Sequence, residues 1–540
     1  MTMYRIFGGI SLFLGLLFLF SCKHEAVISP WRTVELAFHS KTQYKNPYVD
    51  IDLSVSFTSN QGDSLIRLAF WDGGSTWKVR FASPKPGVKW TWESISNNTR
   101  DSGLHGRSGS IRVGQLLNHE EHGLLKMSRQ GRNAVFHDGT PFFMVSGTAW
   151  AMPFRATLEQ VEHYAKTRHD QGYNSTLLMS LQPDIKAEGP EGRNLVNAFE
   201  RTFEDLHQGH INQLKPGYFQ YLDSIVDILH ENEIVPIFQP VFHGYGWKGL
   251  TTLGTKIEAE EYVRYCKYLL ARYGSRPAIW LLSADNNGQD AGVKESGEML
   301  EKWDCDGQPT GIHYNPFGIY EPEWAKDYPD TKCMHYDSSY QSADWLDFQW
   351  TQTGHKGLHD FSKVARMWKY KPAKGIANAE PTYEGMYNGT AGLDLWQMEE
   401  AWGNLMHGGT MGVFYGAAGL FQWKITPDEE GWQEWLNNDL SWEQALDLSG
   451  ARYVGNVGKI LSNFDPSDME VIRLDTIQAI INTQNDLVAY LKPGEGVHYE
   501  KERSSLFVYD PRSATLLTRS AHSKASIMNR TANAQVILVK

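Results

Sequence analysis

Two stretches of this chain end an apolar run in a carboxylate. Ala278-Ile-Trp-Leu-Leu-Ser-Ala-Asp285 is followed by Asn286-Asn-Gly288, and Lys374-Gly-Ile-Ala-Asn-Ala-Glu380 by Pro381-Thr-Tyr-Glu384-Gly385. Each reads as a buried strand that delivers one acid to an open rim, because proline or a polar, glycine-containing turn halts the strand there. A single strand-end acid can instead be a salt bridge or a cap. A matched pair suggests more, since two carboxyls at a set separation are the machinery of glycosidic cleavage. In the retaining form they lie roughly 5–5.5 Å apart, one attacking the anomeric carbon while the other protonates the leaving oxygen.

Placing such a pair requires a scaffold, and the order of elements supplies one. Phe142-Phe-Met-Val-Ser146 is predicted as a first strand, and a helix runs from the N-cap Thr157, with Gln160 three residues on, to a stop at Gly172. Strand two is Asn174–Met179, and a long polar loop then runs to Pro216; loops of that kind usually shape a site. A helix with Phe219, Leu222, Ile225, Val226 and Leu229 at helical spacing precedes strand three, Ile234–Phe238. A third helix presents Tyr262, Val263, Cys266, Leu269, Leu270 and Tyr273 on one face and leads into strand four and Asp285. Strands five, six and eight are Thr310–Tyr314, Leu346–Trp350 and Gly412–Tyr415; strand seven runs into Glu380, and a closing helix spans Trp442 to Leu461. Strand and helix alternate about eight times, the count of a (β/α)8 TIM barrel, whose sites lie at the C-terminal strand ends.

The flanks differ. From Trp31 to Val113 the pattern is short and alternating, as in Asp50–Phe57, Leu65–Trp71, Thr76–Phe81 and Lys89–Glu93, which predicts an immunoglobulin-like β-sandwich. Its Trp71, Trp77, Trp90 and Trp92 could contact glycan, but alternation turns some of them inward, so buttressing the next domain is the preferred role. After Asp468 short strands return and predict a small C-terminal β-sandwich. At the other end Arg5 precedes an apolar run, Ile6 to Phe20, suited to a secretory signal. The expected divisions are residues 1–22 signal peptide, 30–115 N-terminal sandwich, 122–463 catalytic barrel and 468–540 C-terminal sandwich.

Composition narrows the chemistry. The 540 residues carry a net charge of −12 with no basic run, which argues against a nucleic-acid partner. Nineteen Trp and 25 Tyr can fill a large core and also line a sugar groove, where flat rings stack on the C–H faces of sugars. Beyond Cys22 only Cys266, Cys305 and Cys333 remain, enough for one disulfide at most. No Cys/His spacing suits zinc and no glycine-rich phosphate loop follows a strand, so neither metal nor cofactor is expected.

Gly147-Thr-Ala-Trp150, Arg168-x-x-x-Gly172-Tyr-Asn174, Arg272-Tyr273 with Ile279-Trp280, Gln352-Thr-Gly-His355, Glu380-Pro-Thr-Tyr-Glu384 and Gly416-Ala-Ala-Gly419 occur in order along the barrel. Together they resemble the motif series of the apiosidase-like glycoside hydrolases, glycoside hydrolase family 140 and its relatives. The N-terminal sandwich is similar to the module that often precedes such barrels, and Leu19-Phe20-Ser21-Cys22 resembles a bacterial lipobox, ordinary signal cleavage being the alternative. The resemblance implies a retaining mechanism, with Asp285 matching the acid/base and Glu380 the nucleophile, and acylation of Cys22. Where the family usually has Gly-Gly-Asp this chain has Ser283-Ala284-Asp285, a change expected in the sugar-facing loop.

Chemistry is compatible with those roles. Burial beside aromatics such as Trp280 and repulsion from an ionised partner would raise the pKa of Asp285, while Tyr383 or His355 could donate to Glu380. Glu384, the rival nucleophile, lies past Pro381 and reads as a hydroxyl-binding residue. Gln352 and His355 follow strand six and face the expected pocket. His243 and Trp247, after strand three, either bind sugar or serve the structure. Asn286 follows the acid; Trp150 is a sugar platform or a core ring, and Tyr415 and Trp423 share that ambiguity. His313 and Asn315, after strand five, read as structural.

The expected function is therefore an exported glycosidase, lipid-anchored to the outer membrane, cell surface or periplasmic face, that acts on a poly- or oligosaccharide and releases apiose or another pentose. The membrane is met only through the N-terminal lipid. The alternative is a non-catalytic glycan-binding surface lipoprotein on a degenerate barrel.

Overall fold

The structure is a computed structural model that describes residues 26–115, 122–183, 201–244, 252–315, 337–429 and 440–540. Cys22, Trp247 and Cys333 lie outside the described residues, as does most of the segment between strands five and six, residues 316–336.

The centre is an eight-stranded parallel sheet rolled into a nearly closed barrel. Its strands are β1 Met144–Thr148, β2 Ser175–Met179, β3 Val235–Gln239, β4 Ile279–Asn286, β5 Thr310–Tyr314, β6 Phe348–Gln352, β7 Gly375–Glu380 and β8 Gly412–Tyr415. β8 pairs with β1 from Met144–Gly412 to Gly147–Tyr415, and the β7–β8 seam is pinned by Met411 N–H donating to Ile376 O at 3.1 Å. Every residue of these strands is buried, as expected where helices cover the outside and side chains fill the inside. Trp280 and Trp350 are fully buried; the Trp350 ring stacks on Phe348 at 4.1 Å and meets Phe414 at 4.9 Å.

The outer layer includes α1 Leu158–Gln171, α2 Pro216–Glu231, α3 Ala259–Tyr273, α4 Val293–Trp303, α5 Ser362–Met367, α6 Leu395–Met406 and α7 Gly450–Leu461. The start and stop of α1 follow local chemistry. Thr157 and Gln160 form a reciprocal capping box, and Gly172 closes the helix at φ 103°, a conformation that glycine adopts without cost. The closing helix is broken, since Trp442–Leu446 and α7 are separated around Asp447–Ser449. Strand six extends to Gln352 rather than ending at Trp350, which brings Gln352 to the rim.

N-terminal to the barrel, a five-stranded and a three-stranded sheet face each other across one apolar core containing Val55, Phe57, Trp77, Phe81 and Trp90. Trp77 and Trp90 are thus interior, while Trp71 and Trp92 are half-buried. This unit is fastened to the barrel by buried Arg272 of α3, whose Nη2 meets Asp72 at 2.8 Å and Asp223 at 2.7 Å. Arg80 reaches the same Asp223 at 2.6 Å.

The C-terminal region differs from the expected sandwich. It is one hydrogen-bonded sheet of six strands that includes the long hairpin Gly496–Asp510 and Thr515–Met528. A slip in the hairpin pairing between Glu500 and Ser504 lets the sheet curl, so that Ile472 and Tyr499 pack on the same small core. A single strongly bent sheet can bury its own face this way. Its opposite face, through Val488, Tyr490 and Leu538, joins the barrel core.

Candidate active site

The rim acids are held by irregular backbone. The β4–β5 ladder slips between Leu281 and Ser283 and again between Ala284 and Asn286. Asp285 lies in the second slip at φ 58°, a left-handed conformation that costs of order 1–3 kcal/mol and persists only where its surroundings enforce it. Gly244 is part of that enforcement. A Cβ there would stand 2.4 Å from the Asp285 Cβ, so only glycine allows the approach. Asn286 locks the other side, donating to Asp290 Oδ1 at 2.8 Å while its own Oδ1 accepts from Asn287 N–H at 2.9 Å. A bulge of this kind re-aims a side chain, and here it turns Asp285 toward β7.

Glu380 ends β7 beside another slip, between Thr351 and Gln352. His355 Nδ1 accepts from the Tyr383 backbone N–H at 3.3 Å. A backbone N–H can only donate, so in this arrangement the ring proton is on Nε2, which lies 3.0 Å from Glu380 Oε1 and donates to it. Gln352 Nε2 donates to Asp285 Oδ1. The Tyr383 ring fits beside Gly416, where a Cβ would approach it to 2.2 Å, and burial followed by the nearby Glu380 and Asp285 charges raises its phenol pKa well above the ordinary value. Its hydroxyl therefore keeps its proton.

Asp285, His313 and Glu380 each offer an atom, and these atoms lie within 4.8 Å of one another. His313 Nε2 is 3.9 Å from Glu380 Oε2, beyond hydrogen-bond reach, and burial pushes the imidazole down to about 3, leaving it neutral near pH 7. Asp285 is pushed well above the usual carboxylate range, first by burial and then by the Glu380 charge, with the Gln352 hydrogen bond opposing. The arrangement thus combines an acid that retains its proton with a second carboxyl oriented by an imidazole donor. The three-residue spacing is also one that could hold a cation.

Trp150 lies beside Tyr383, in edge-on contact with it at 6.4 Å and with Phe421 at 5.9 Å. Its indole N–H has no partner among the described residues. Asp285, Glu380, Trp150, Gln352, His355 and Tyr383 therefore converge as the sequence suggests. His313 was read as structural and placed after strand five, yet it lies inside β5 and joins them.

Other expected contacts do not converge. Glu384 accepts from Tyr415 Oη at 2.6 Å, from Asp394 N–H at 2.8 Å and from Gly450 N–H at 3.2 Å. It holds the start of α6 and α7 instead of a substrate hydroxyl, and Tyr415 is committed to it. His243 is fully buried with its ring edge-on to Tyr262 at 5.4 Å, and burial pushes it down to about 3. Asn286 is used by its own loop. Ser283 and Ala284 are buried within β4 and do not form a sugar-facing loop. Trp423, the other ambiguous ring, is buried against Trp442 at 4.6 Å. Cys266 and Cys305 are free.

A parallel barrel with paired carboxyls on the rims of β4 and β7 defines the class. Residues 128–467 match the family described as apiosidase-like, catalytic domain, and the chain belongs to that family. Residues 27–97 match DUF5060, a domain of unknown function. No curated protein matches the chain. Among solved structures, one from Bacteroides vulgatus, provisionally assigned as a glycoside hydrolase, is similar at 17% identity and TM-score 0.68, covering 96% of this chain and 100% of that one. A glycoside hydrolase family 5 structure from the same organism is similar at 20% identity and TM-score 0.59, with 78% and 94% covered. A structure named simply glycoside hydrolase gives 19% identity and TM-score 0.59, covering 78% of this chain and 97% of that one. These likenesses concern the fold.

Proposed function

We propose that the protein is a retaining glycoside hydrolase of the family 140 type, with Asp285 as acid/base and Glu380 as nucleophile, that removes apiose or another pentose from a complex polysaccharide. The observation that carries the reading is the approach of the two carboxyls: one oxygen of each lies within the same 4.8 Å group, a spacing for direct attack, whereas an inverting pair stands roughly 6.5–9.5 Å apart to admit a water.

In the first step protonated Asp285 gives its proton to the glycosidic oxygen as Glu380 bonds to the anomeric carbon, expelling the leaving sugar as an alcohol. In the second step Asp285, now ionised, takes a proton from water whose oxygen displaces Glu380. His355 holds Glu380 in line, Gln352 orients Asp285, and Trp150 offers a ring face and an N–H to the sugar. The N-terminal sheets, read as an immunoglobulin-like module, buttress α3. A lipid on Cys22 would tether the exported enzyme to the outer membrane, cell surface or periplasmic face.

The test is turnover by the purified mature protein beside Asp285→Ala and Glu380→Ala on plant, algal and microbial polysaccharides. Released sugars are identified, and NMR records the first anomer formed. Release of a pentose with retained configuration, lost in both variants, is the expected result. Wild-type release by either variant would overturn the assignment; inverted product would overturn the mechanism. Glycan binding without release would favour the glycan-binding lipoprotein.

A further inference from the structure

A cavity lies away from the rim acids, in the seam between α6 and the C-terminal sheet. It has a volume of about 340 Å3 and is walled by Phe361, His407 and Glu399 on the barrel side and Gln478, Tyr490 and Lys492 on the sheet side. Cavities of about 300–1,000 Å3 suit small ligands when an apolar floor is combined with a few converging polar groups.

This cavity has both. The floor is a stacked pair, Phe361 on His407 at 4.9 Å and 25°, and Tyr490 lies parallel to Trp402 at 5.9 Å. The Tyr490 hydroxyl and Gln478 Oε1 are buried without a hydrogen-bond partner among the described residues, although Tyr490 is only 8% exposed. Groups in that condition cost stability unless something fills them. His407 Nδ1 is 2.7 Å from the Gly403 carbonyl and so carries the ring proton, which leaves Nε2 as an acceptor. The lining carries two cations, Arg473 and Lys492, against two carboxylates, Glu399 and Glu495: Lys492 Nζ meets Glu399 at 3.2 Å, the Lys492 backbone N–H donates to Glu495 at 2.7 Å, and Arg473 Nε donates to the Asp475 carbonyl at 3.5 Å. A hydroxyl donor, two acceptors and a flat apolar floor, with cations and carboxylates in equal number, match vicinal hydroxyls on a ring and favour a neutral ligand over an anion.

We propose that this seam cavity is a second, non-catalytic binding site for a neutral sugar residue. It is formed jointly by the barrel and the C-terminal sheet and lies apart from Asp285 and Glu380. Its wall is tied to the barrel: His359 Nδ1 meets Glu400 Oε2 at 2.7 Å, and Glu400 Oε1 accepts from Asn378 of β7 at 3.1 Å.

The test titrates the full chain with arabinose, xylose and galactose, and with galacturonate as the charged control, by calorimetry and saturation-transfer NMR. Wild type is compared with Phe361→Ala, Gln478→Ala and Trp150→Ala, each checked for native melting. At least one neutral sugar should bind, weakened about tenfold or more in Phe361→Ala and Gln478→Ala, and the binding that those two variants weaken should persist in Trp150→Ala; galacturonate should bind more weakly. Gln478 is half-buried on the sheet side, so its variant keeps the fold even where loss of Phe361 does not. The proposal is overturned if no neutral sugar binds. Loss of binding in Trp150→Ala alone, or a preference for galacturonate, would also overturn it. None of these readouts depends on turnover.

Discussion

Glu380 ends β7 and Glu384 lies four residues beyond it; both are buried, yet they do opposite things. Glu380 faces Asp285 across the rim and is oriented by one imidazole donor. Glu384 faces outward, where a phenol and two backbone N–H groups from helix starts occupy it. Helix N-termini favour negative charge, so Glu384 is a fastening between strand and helices. The environment, not the residue type, separates a reacting acid from a structural one.

That contrast breaks first at the reacting pair. Asp285→Ala should reduce kcat/KM by about 10²–10⁴-fold, and Glu380→Ala at least as much, with native melting in both; steady-state kinetics with calorimetry decide. Glu384→Ala should do the reverse. It leaves two buried donors and one part-buried donor unmet and should cost about 1–3 kcal/mol for each buried one, read in denaturant melts, while kcat per folded molecule stays near wild type. Loss of kcat without loss of stability in Glu384→Ala would return it to the list of rival nucleophiles.

The pKa of Asp285 sharpens the comparison. Its folded value is raised, so between the unfolded value near 3.9 and the folded one the native state binds more protons and stability falls as pH rises. Asp285→Asn should therefore raise the melting temperature at pH 7, and the gain should shrink toward pH 4. No gain at pH 7 would contradict the raised pKa. The smallest effect belongs to Gln352→Leu. Its hydrogen bond favours the ionised form of Asp285, so its removal should move the alkaline limb of the kcat/KM profile upward; a downward move would assign Gln352 a different role.

Much of the scaffold was legible in the chain. The Thr157–Gln160 box, the stop at Gly172 and apolar strands ending at Asp285 and Glu380 depend on local rules, since caps, turns and buried strands are set within a few residues. The direction in which a rim side chain points is not local. His313 and His243 look alike in the chain, but a position on β5 turns one toward Glu380 while contact with α3 buries the other against Tyr262. Tyr415 ends a barrel strand as a catalytic tyrosine would, but it packs outside. The C-terminal strands were visible as strands, whereas one curled sheet in place of a sandwich rests on a slip in a long hairpin.

By itself the sequence determined the order of strands and helices, the paired acids and the family motifs, because these rest on periodicity, capping and residue type. Only the tertiary structure decided that Asp285 sits in a bulge aimed at Glu380, that Glu384 serves two helix starts, and that the seam cavity holds unmet polar groups. Each of those depends on which strand neighbours which, and on slips in ladder register that no local pattern encodes.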